Sequence, residues 1–240
     1  MKSIRLLGAT LLASTTLLGA TTTFADQSQP TDPTPVKVTT PITAELTVNE
    51  TPDKPTPPTD PDEGGTDKPT DITGLFGIAY APKGLTGTAQ LKNSGETQIN
   101  LANNDSTNVQ NKHNVGVQDK TRAKDRAWTL KAKLVWDGDT NNYMAGSTIT
   151  ATEGNVKLNT NGVLSEVTNG EVTMEAGADN LTISQNSEVP LMKANAGKTV
   201  NGVYNYQFKN PKLVIPNSEN VAAGTYSGNI VWNLSNALGN

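Results

Sequence analysis

Apolar and polar residues alternate one by one in several stretches of this chain. Across residues 126–136, Trp128, Leu130, Ala132, Leu134 and Trp136 fall on one side of an extended backbone, with Thr129, Lys131 and Lys133 on the other. Tyr204, Tyr206 and Phe208 alternate with Asn205, Gln207 and Lys209. Near the C terminus Tyr226, Gly228, Ile230, Trp232 and Leu234 share one face. Shorter candidate strands lie at residues 88–91, 147–152, 155–158, 172–175, 181–184 and 212–215. No window of helical length carries a 3.6-residue apolar period. Asn-Gly pairs at Asn161–Gly162, Asn169–Gly170 and Asn201–Gly202 fit hairpin turns. Many short strands between polar turns predict an all-β fold, a sandwich or barrel-like single domain over residues 71–240. A domain of that length buries roughly two-thirds of its unfolded surface, enough for a real core.

The N-terminal part reads differently. Lys2 and Arg5 precede an apolar run over residues 6–20, and Thr23, Phe24 and Ala25 form a small-x-small ending. This is the pattern of a signal peptide, residues 1–25, and it predicts a secreted mature chain without a transmembrane segment. Residues 26–70 then hold ten of the fourteen prolines. Residues 26–71 carry ten acidic side chains against three lysines, whereas the remainder is nearly balanced at thirteen against fourteen. Such a composition buries too little apolar surface to offset chain entropy, so 26–70 is expected to be a disordered, solvated spacer. Residues 42–50 alternate and are the exception, fit for a strand or a docking segment. The chain has no cysteine. Disulfides, thiolate chemistry and sulfur-ligated metals are therefore excluded, and the domain must hold by packing alone.

Two of the three tryptophans sit in the same short pattern: Trp128 and Leu130 in RAWTLKAKLVW, Trp232 and Leu234 in TYSGNIVWNLS. Period two explains each, since W-x-L sets a large ring beside a branched aliphatic chain on one strand face. Both tryptophans then fill a core, or one or both contact a ligand. The arrangement as a whole resembles the WxL-domain surface proteins of low-GC Gram-positive bacteria. The matching pieces are the signal peptide, the Pro/Asp/Thr-rich spacer, KDRAWTLKAKL and, most specific, GTYSGNIVWNLS. FGIAYAPKGLTG is similar to the family's entry into its domain, more loosely. Where members often end in alanine and proline, this chain has Asn236, Ala237 and Leu238. The resemblance implies Trp128, Leu130, Trp232 and Leu234 as the two motifs. It also implies cell-surface localisation and non-covalent binding to peptidoglycan or an attached anionic polymer. Other surface proteins, wall-anchored ones among them, are implied partners, and an adhesin or surface-complex role is the alternative.

The sequence carries no LPxTG-like sorting signal and no lipobox cysteine, so attachment is expected to be non-covalent. Lys120, Arg122, Lys124, Arg126, Lys131 and Lys133 form the main basic patch, a candidate contact for anionic polymer or peptide carboxylates. The alternative is a solvated strand face and the loop before it. Tyr204 and Tyr206 are candidate sugar-stacking rings or half-buried strand residues. Nucleic acid is not an expected partner, because aromatic and basic residues do not interleave. The lone His113 lies in a polar stretch and reads as a surface-loop residue. Without a nucleophile elbow or a cysteine it has nothing to activate, so no enzyme, no cofactor and no metal are expected. Asp137, Asp139 and Asn141 start like a calcium loop, but Asn142 and Thr148 stand where glycine and glutamate are needed. A turn is the expected outcome. A wall-active hydrolase is the least favoured reading.

Overall fold

The alternating stretches become two β-sheets in the computed structural model, which describes residues 35–64, 67–103, 106–124 and 126–238. The signal-peptide segment 1–25 lies outside the described residues. The larger sheet runs β1 (Lys68–Pro69), β2 (Phe76–Ala81), β4 (Lys112–Asp119), β11 (Gly202–Ile215), β6 (Thr148–Thr160) and β7 (Val163–Glu166). Two short strands extend it: β3 (Thr97–Asn100) on β11 and β9 (Thr182–Ser184) on β6. The smaller sheet runs β12 (Ser227–Leu238), β5 (Arg126–Asp137), β10 (Val189–Ala194) and β8 (Val172–Met174). Every ladder is antiparallel. The fold is all-β, as the period-two pattern requires.

The core lies between the sheets. Trp128, Leu130, Ala132 and Leu134 of β5 face Tyr204, Tyr206 and Phe208 of β11, and all seven are buried. Asn161 and Gly162 carry the positive φ values, 52° and 90°, that a two-residue hairpin needs, and they join β6 to β7 as expected. The other two Asn-Gly pairs do not make hairpins. Gly170 lies in a bend between β7 and β8, which do not pair, and Gly202 opens β11. Residues 88–91 are not a strand. The separate candidates 147–152 and 155–158 are one strand, β6, and 212–215 is the continuation of β11 past a bulge near Asn210.

Both faces of the larger sheet are covered, which composition did not predict. The face away from the core carries a buried polar ladder of Asn114, Gln118, Asn159, Asn205 and Gln207 around Tyr80. The Tyr80 hydroxyl donates to Asn205 Oδ1 at 2.9 Å and accepts from Asn159 Nδ2 at 2.8 Å. Asn205 Nδ2 donates to Asn114 Oδ1 at 2.8 Å. The remaining donors need acceptors from outside the sheet, and the Pro-rich segment supplies them. Asn159 Nδ2 donates to the Thr56 carbonyl at 2.9 Å, Asn114 Nδ2 to the Glu63 carbonyl at 2.7 Å, and Gln207 Nε2 to Glu63 Oε2 at 2.8 Å. Thr59 N–H bonds the Gly162 carbonyl at 3.1 Å. The chain divides into two units, Met1–Glu45 and Leu46–Asn240. Within the second unit Thr56, Thr59, Glu63 and Asp67, expected in a solvated spacer, bond to the larger sheet. The reason is polar: proline-rich backbone has unused carbonyls, and buried amides are costly unless they are paired. In the first unit the described residues, 35–45, form no helix or strand and are exposed.

Candidate functional site

The two Trp-x-Leu motifs are neighbours. Strands β5 and β12 pair along their whole length, and the register puts Leu234 directly opposite Leu130 and Trp232 opposite Ala132. Directly opposed residues share a face, so both leucines and both tryptophans point between the sheets. Trp128 packs on Tyr204, with ring centroids 6.3 Å apart, and on Phe76 at 6.4 Å. Trp232 packs on Phe208 at 6.1 Å. The two rings therefore grip the β11 aromatic ladder at positions four residues apart. This is why one pattern recurs a hundred residues on: two adjacent strands clamp the same opposing strand.

The two tryptophans are not equivalent. Trp128 is 1% exposed, and its indole N–H donates to the buried carboxylate of Asp119, Oδ2, at 3.0 Å. Asp119 also accepts from the Thr121 N–H at 3.1 Å and the Thr121 hydroxyl at 2.6 Å. Trp128 is a core residue with a satisfied polar tip. Trp232 lies on the outermost strand of the smaller sheet and is half-buried.

The basic residues separate into three environments. Arg122 and Lys124 are exposed in the loop between β4 and β5, and Lys120 Nζ donates to the Asp53 carbonyl at 3.4 Å. Arg126 lies over the Phe76 ring, 4.8 Å from its centroid, and is engaged there in a cation–π contact. Lys131 and Lys133 point outward from the smaller sheet, beside Asn233 and Val231 of β12. Register adds a lysine that sequence reading did not include: Lys193 of β10 stands opposite Thr129 on the same outer face. Lys131 lies 3.7 Å from Glu188, and Lys193 lies 3.0 Å from Glu175. These pairs are exposed enough for solvent to weaken them.

Tyr204 and Tyr206 do not offer rings to a sugar. Both are buried, Tyr206 with its hydroxyl donating to the Ala178 carbonyl at 2.6 Å. Strand β11 is covered on both faces, so its alternation marks two interiors and not an inside and an outside. His113 is likewise buried, on β4 against Phe208 at 5.5 Å, with Nε2 within 2.9 Å of Asn111 Oδ1. Burial lowers its pKa to about 4. Asp139 closes a turn, its carboxylate accepting from the Tyr143 and Met144 N–H groups at 2.9 and 2.8 Å. Among the described residues no His, Asp and Glu side chains gather into a group that could hold a metal ion. No helix of the described residues is long and apolar enough to cross a membrane.

Asp67 is the unusual acid of the molecule. It is 7% exposed, and Asn114 donates to it through its N–H at 3.2 Å and its amide at 2.8 Å. Burial pushes its pKa up to about 7, because the two hydrogen bonds only partly offset desolvation. Glu63 behaves oppositely. Burial raises it, but the Gln207 amide together with Lys157 and Lys112 outweighs burial and brings it below the ordinary value.

A family model described as "WxL domain surface cell wall-binding" matches residues 21–237. No curated protein and no solved structure is similar enough to match.

Proposed function

Starting from the fact that this chain belongs to the WxL domain family, whose members are non-enzymatic surface proteins of the cell wall, we propose an exported protein held on the Gram-positive wall without a covalent bond. The contact is the outer face of the smaller sheet. The observation that carries this reading is the strip formed there by Lys131, Lys133 and Lys193 beside exposed Val135 and Val231, with the amides of Asn229 and Asn233 held by Asp137 and Glu188. Lysines supply point charges for phosphate or carboxylate groups, and the valines accept the apolar face of a sugar ring. The buried tryptophan, by contrast, supports the strip from beneath. Residues 1–25 act as the export signal in this reading, and the wall ligand is peptidoglycan or an anionic polymer attached to it.

The test is co-sedimentation of the chain from residue 26 onward with protein-stripped Gram-positive walls. Lys131→Glu/Lys133→Glu is compared with wild type after thermal unfolding has shown it folded. Wild type should pellet, and the double variant should bind roughly tenfold more weakly, about 1.4 kcal/mol. Binding should also weaken with salt. Equal pelleting of the charge-reversed variant would remove the strip from the contact, and wild type remaining in the supernatant would end the proposal.

A further inference from the structure

The outer face of the larger sheet is built in rows, because residues directly opposed across a ladder share a face. On β4, β11 and β6 one row is Asn114, Gln207 and Asn155, and the next is Lys112, Lys209 and Thr152. Past the bulge at Asn210, β3 takes the place of β4. The rows there are Asn100, Lys212 and Thr150, then Gln98, Val214 and Thr148. All face away from the core, since their strand neighbours Phe208, Leu213, Ile149 and Ala151 face into it.

The rows beside β4 are occupied by the chain itself. The Glu63 carbonyl accepts from the Asn114 amide at 2.7 Å, and its carboxylate accepts from the Gln207 amide at 2.8 Å. Lys112 and Lys157 lie 3.3 and 3.2 Å from that carboxylate. An acidic residue of a proline-rich stretch is thus held by amides and by ammonium groups. At Gly64, φ 79°, the backbone turns, and the chain goes on to β1 at the border of the sheet.

The rows beside β3 are open. They floor a groove of about 610 Å³, lined by Asn100, Thr150, Thr152, Asn210 and Lys212, each half-buried or exposed. Among the described residues, the side chains of Asn100, Thr150, Asn210 and Lys212 have no hydrogen-bond or charge partner. Lys209 in the row above is paired with Glu153 at 3.2 Å, so Lys212 is the uncompensated cation of the groove. Its donors are those of the occupied rows: amides, a hydroxyl and an ammonium group. No aromatic ring of the described residues lines it, so the C–H face of a sugar has no ring to stack on.

We propose that this groove binds an acidic peptide segment of a partner protein, with a carboxylate on Lys212 and main-chain carbonyls on the amides of Asn100 and Asn210. The neighbouring rows already hold a segment of that chemistry, and the open rows continue the same face along β11. A second polypeptide is the occupant because the chain's own acidic stretch ends its contact at Glu63 and turns off at Gly64. The groove lies on the opposite side of the sandwich from the Lys131–Lys133 strip, and its occupancy is read without wall material.

The experiment is a nuclear magnetic resonance titration of the chain from residue 26 with the synthetic peptide TPPTDPDE, the sequence of residues 56–63. With millimolar peptide the backbone amides of residues 98–100, 150–152, 210 and 212 should shift, and less so at high salt. Lys212→Glu should weaken binding severalfold, and so should a peptide with Asn and Gln in place of its Asp and Glu. Groove amides that do not move overturn the proposal, as does binding that Lys212→Glu leaves unchanged. Shifts confined to Asn114, Asn159 and Gln207 would mean exchange with the chain's own proline-rich stretch and also overturn it. So would an acidic oligosaccharide that moves the groove amides where the peptide does not.

Discussion

Replacing Trp128 separates a scaffold role from a ligand role. The side chain is 1% exposed, touches Tyr204 and Phe76, and gives its indole N–H to Asp119. Truncation to alanine removes the ring from a closed core, at a cost of about 3–5 kcal/mol. It also takes one of three donors from the buried Asp119 carboxylate. The Thr121 N–H and hydroxyl remain, so this adds about 1 kcal/mol, the low end of the range for an unmade bond. Trp128→Phe keeps much of the volume and should cost about 1–3 kcal/mol. Trp232→Ala, at a half-buried edge position, should cost about 1–2 kcal/mol, since part of its area is already in water. Domains have only about 5–15 kcal/mol in hand, so the Trp128→Ala loss is a large share of the total. Urea unfolding followed by far-UV circular dichroism, with matched m-values, measures all three. The expected order is Trp128→Ala, then Trp128→Phe, then Trp232→Ala. The reasoning is refuted if Trp128→Ala costs under about 1 kcal/mol. It is equally refuted if folded Trp128→Phe loses wall pelleting with its stability unchanged, because a ring hidden in the core cannot then be the explanation.

Two buried groups predict opposing pH effects. Asp67 holds its proton up to about 7 in the folded chain against 3.8 ordinarily, so folding binds a proton between those values and stability falls as pH rises through that window. His113, lowered to about 4 from 6.5, stays neutral when folded, so its contribution is present above 6.5 and is lost as pH falls toward 4. Unfolding free energies of wild type and Asp67→Asn from urea titrations should diverge as pH increases from about 4 to about 7, in the variant's favour, by up to roughly 4 kcal/mol; parallel curves would refute the raised pKa of Asp67. Gly116 has a different constraint: a Cβ there would meet the Tyr80 ring at 2.3 Å, and that ring is fixed by its bonds to Asn205 and Asn159. Gly116→Ala should therefore cost about 1–3 kcal/mol in urea unfolding, and a cost within about 0.5 kcal/mol would mean that the ring moves aside freely.

Period-two alternation determined the all-β class and strands β5 and β12, because a strand buried on one face writes that burial directly into its sequence, and it marked the central part of β11 because one of its two interiors is apolar and the other polar. The same signal does not tell a buried polar face from a solvated one. Strand β4 reads KHNVGVQD, yet seven of its eight residues are buried, His113 against the core and Asn114 under the Pro-rich segment. Asn205 and Gln207 look like an outer face but are buried, Gln207 against Glu63. Their amides are acceptable inside because Asn205 bonds Tyr80 and Asn114 and Glu63 brings an acceptor to Gln207 from far along the chain, and no local pattern encodes such a meeting. The candidate site divides in the same way. Lys131 and Lys133 follow from alternation, whereas Lys193 joins them only through the β5–β10 register, and Arg126 leaves them because Phe76 takes its guanidinium. The two Trp-x-Leu motifs were visible as words in the sequence. That they are cross-strand neighbours on one ladder, Trp128 sealed and Trp232 at an open edge, was decided by tertiary pairing, since hydrogen bonds between strands about a hundred residues apart set which side chains share a wall and which remain in water.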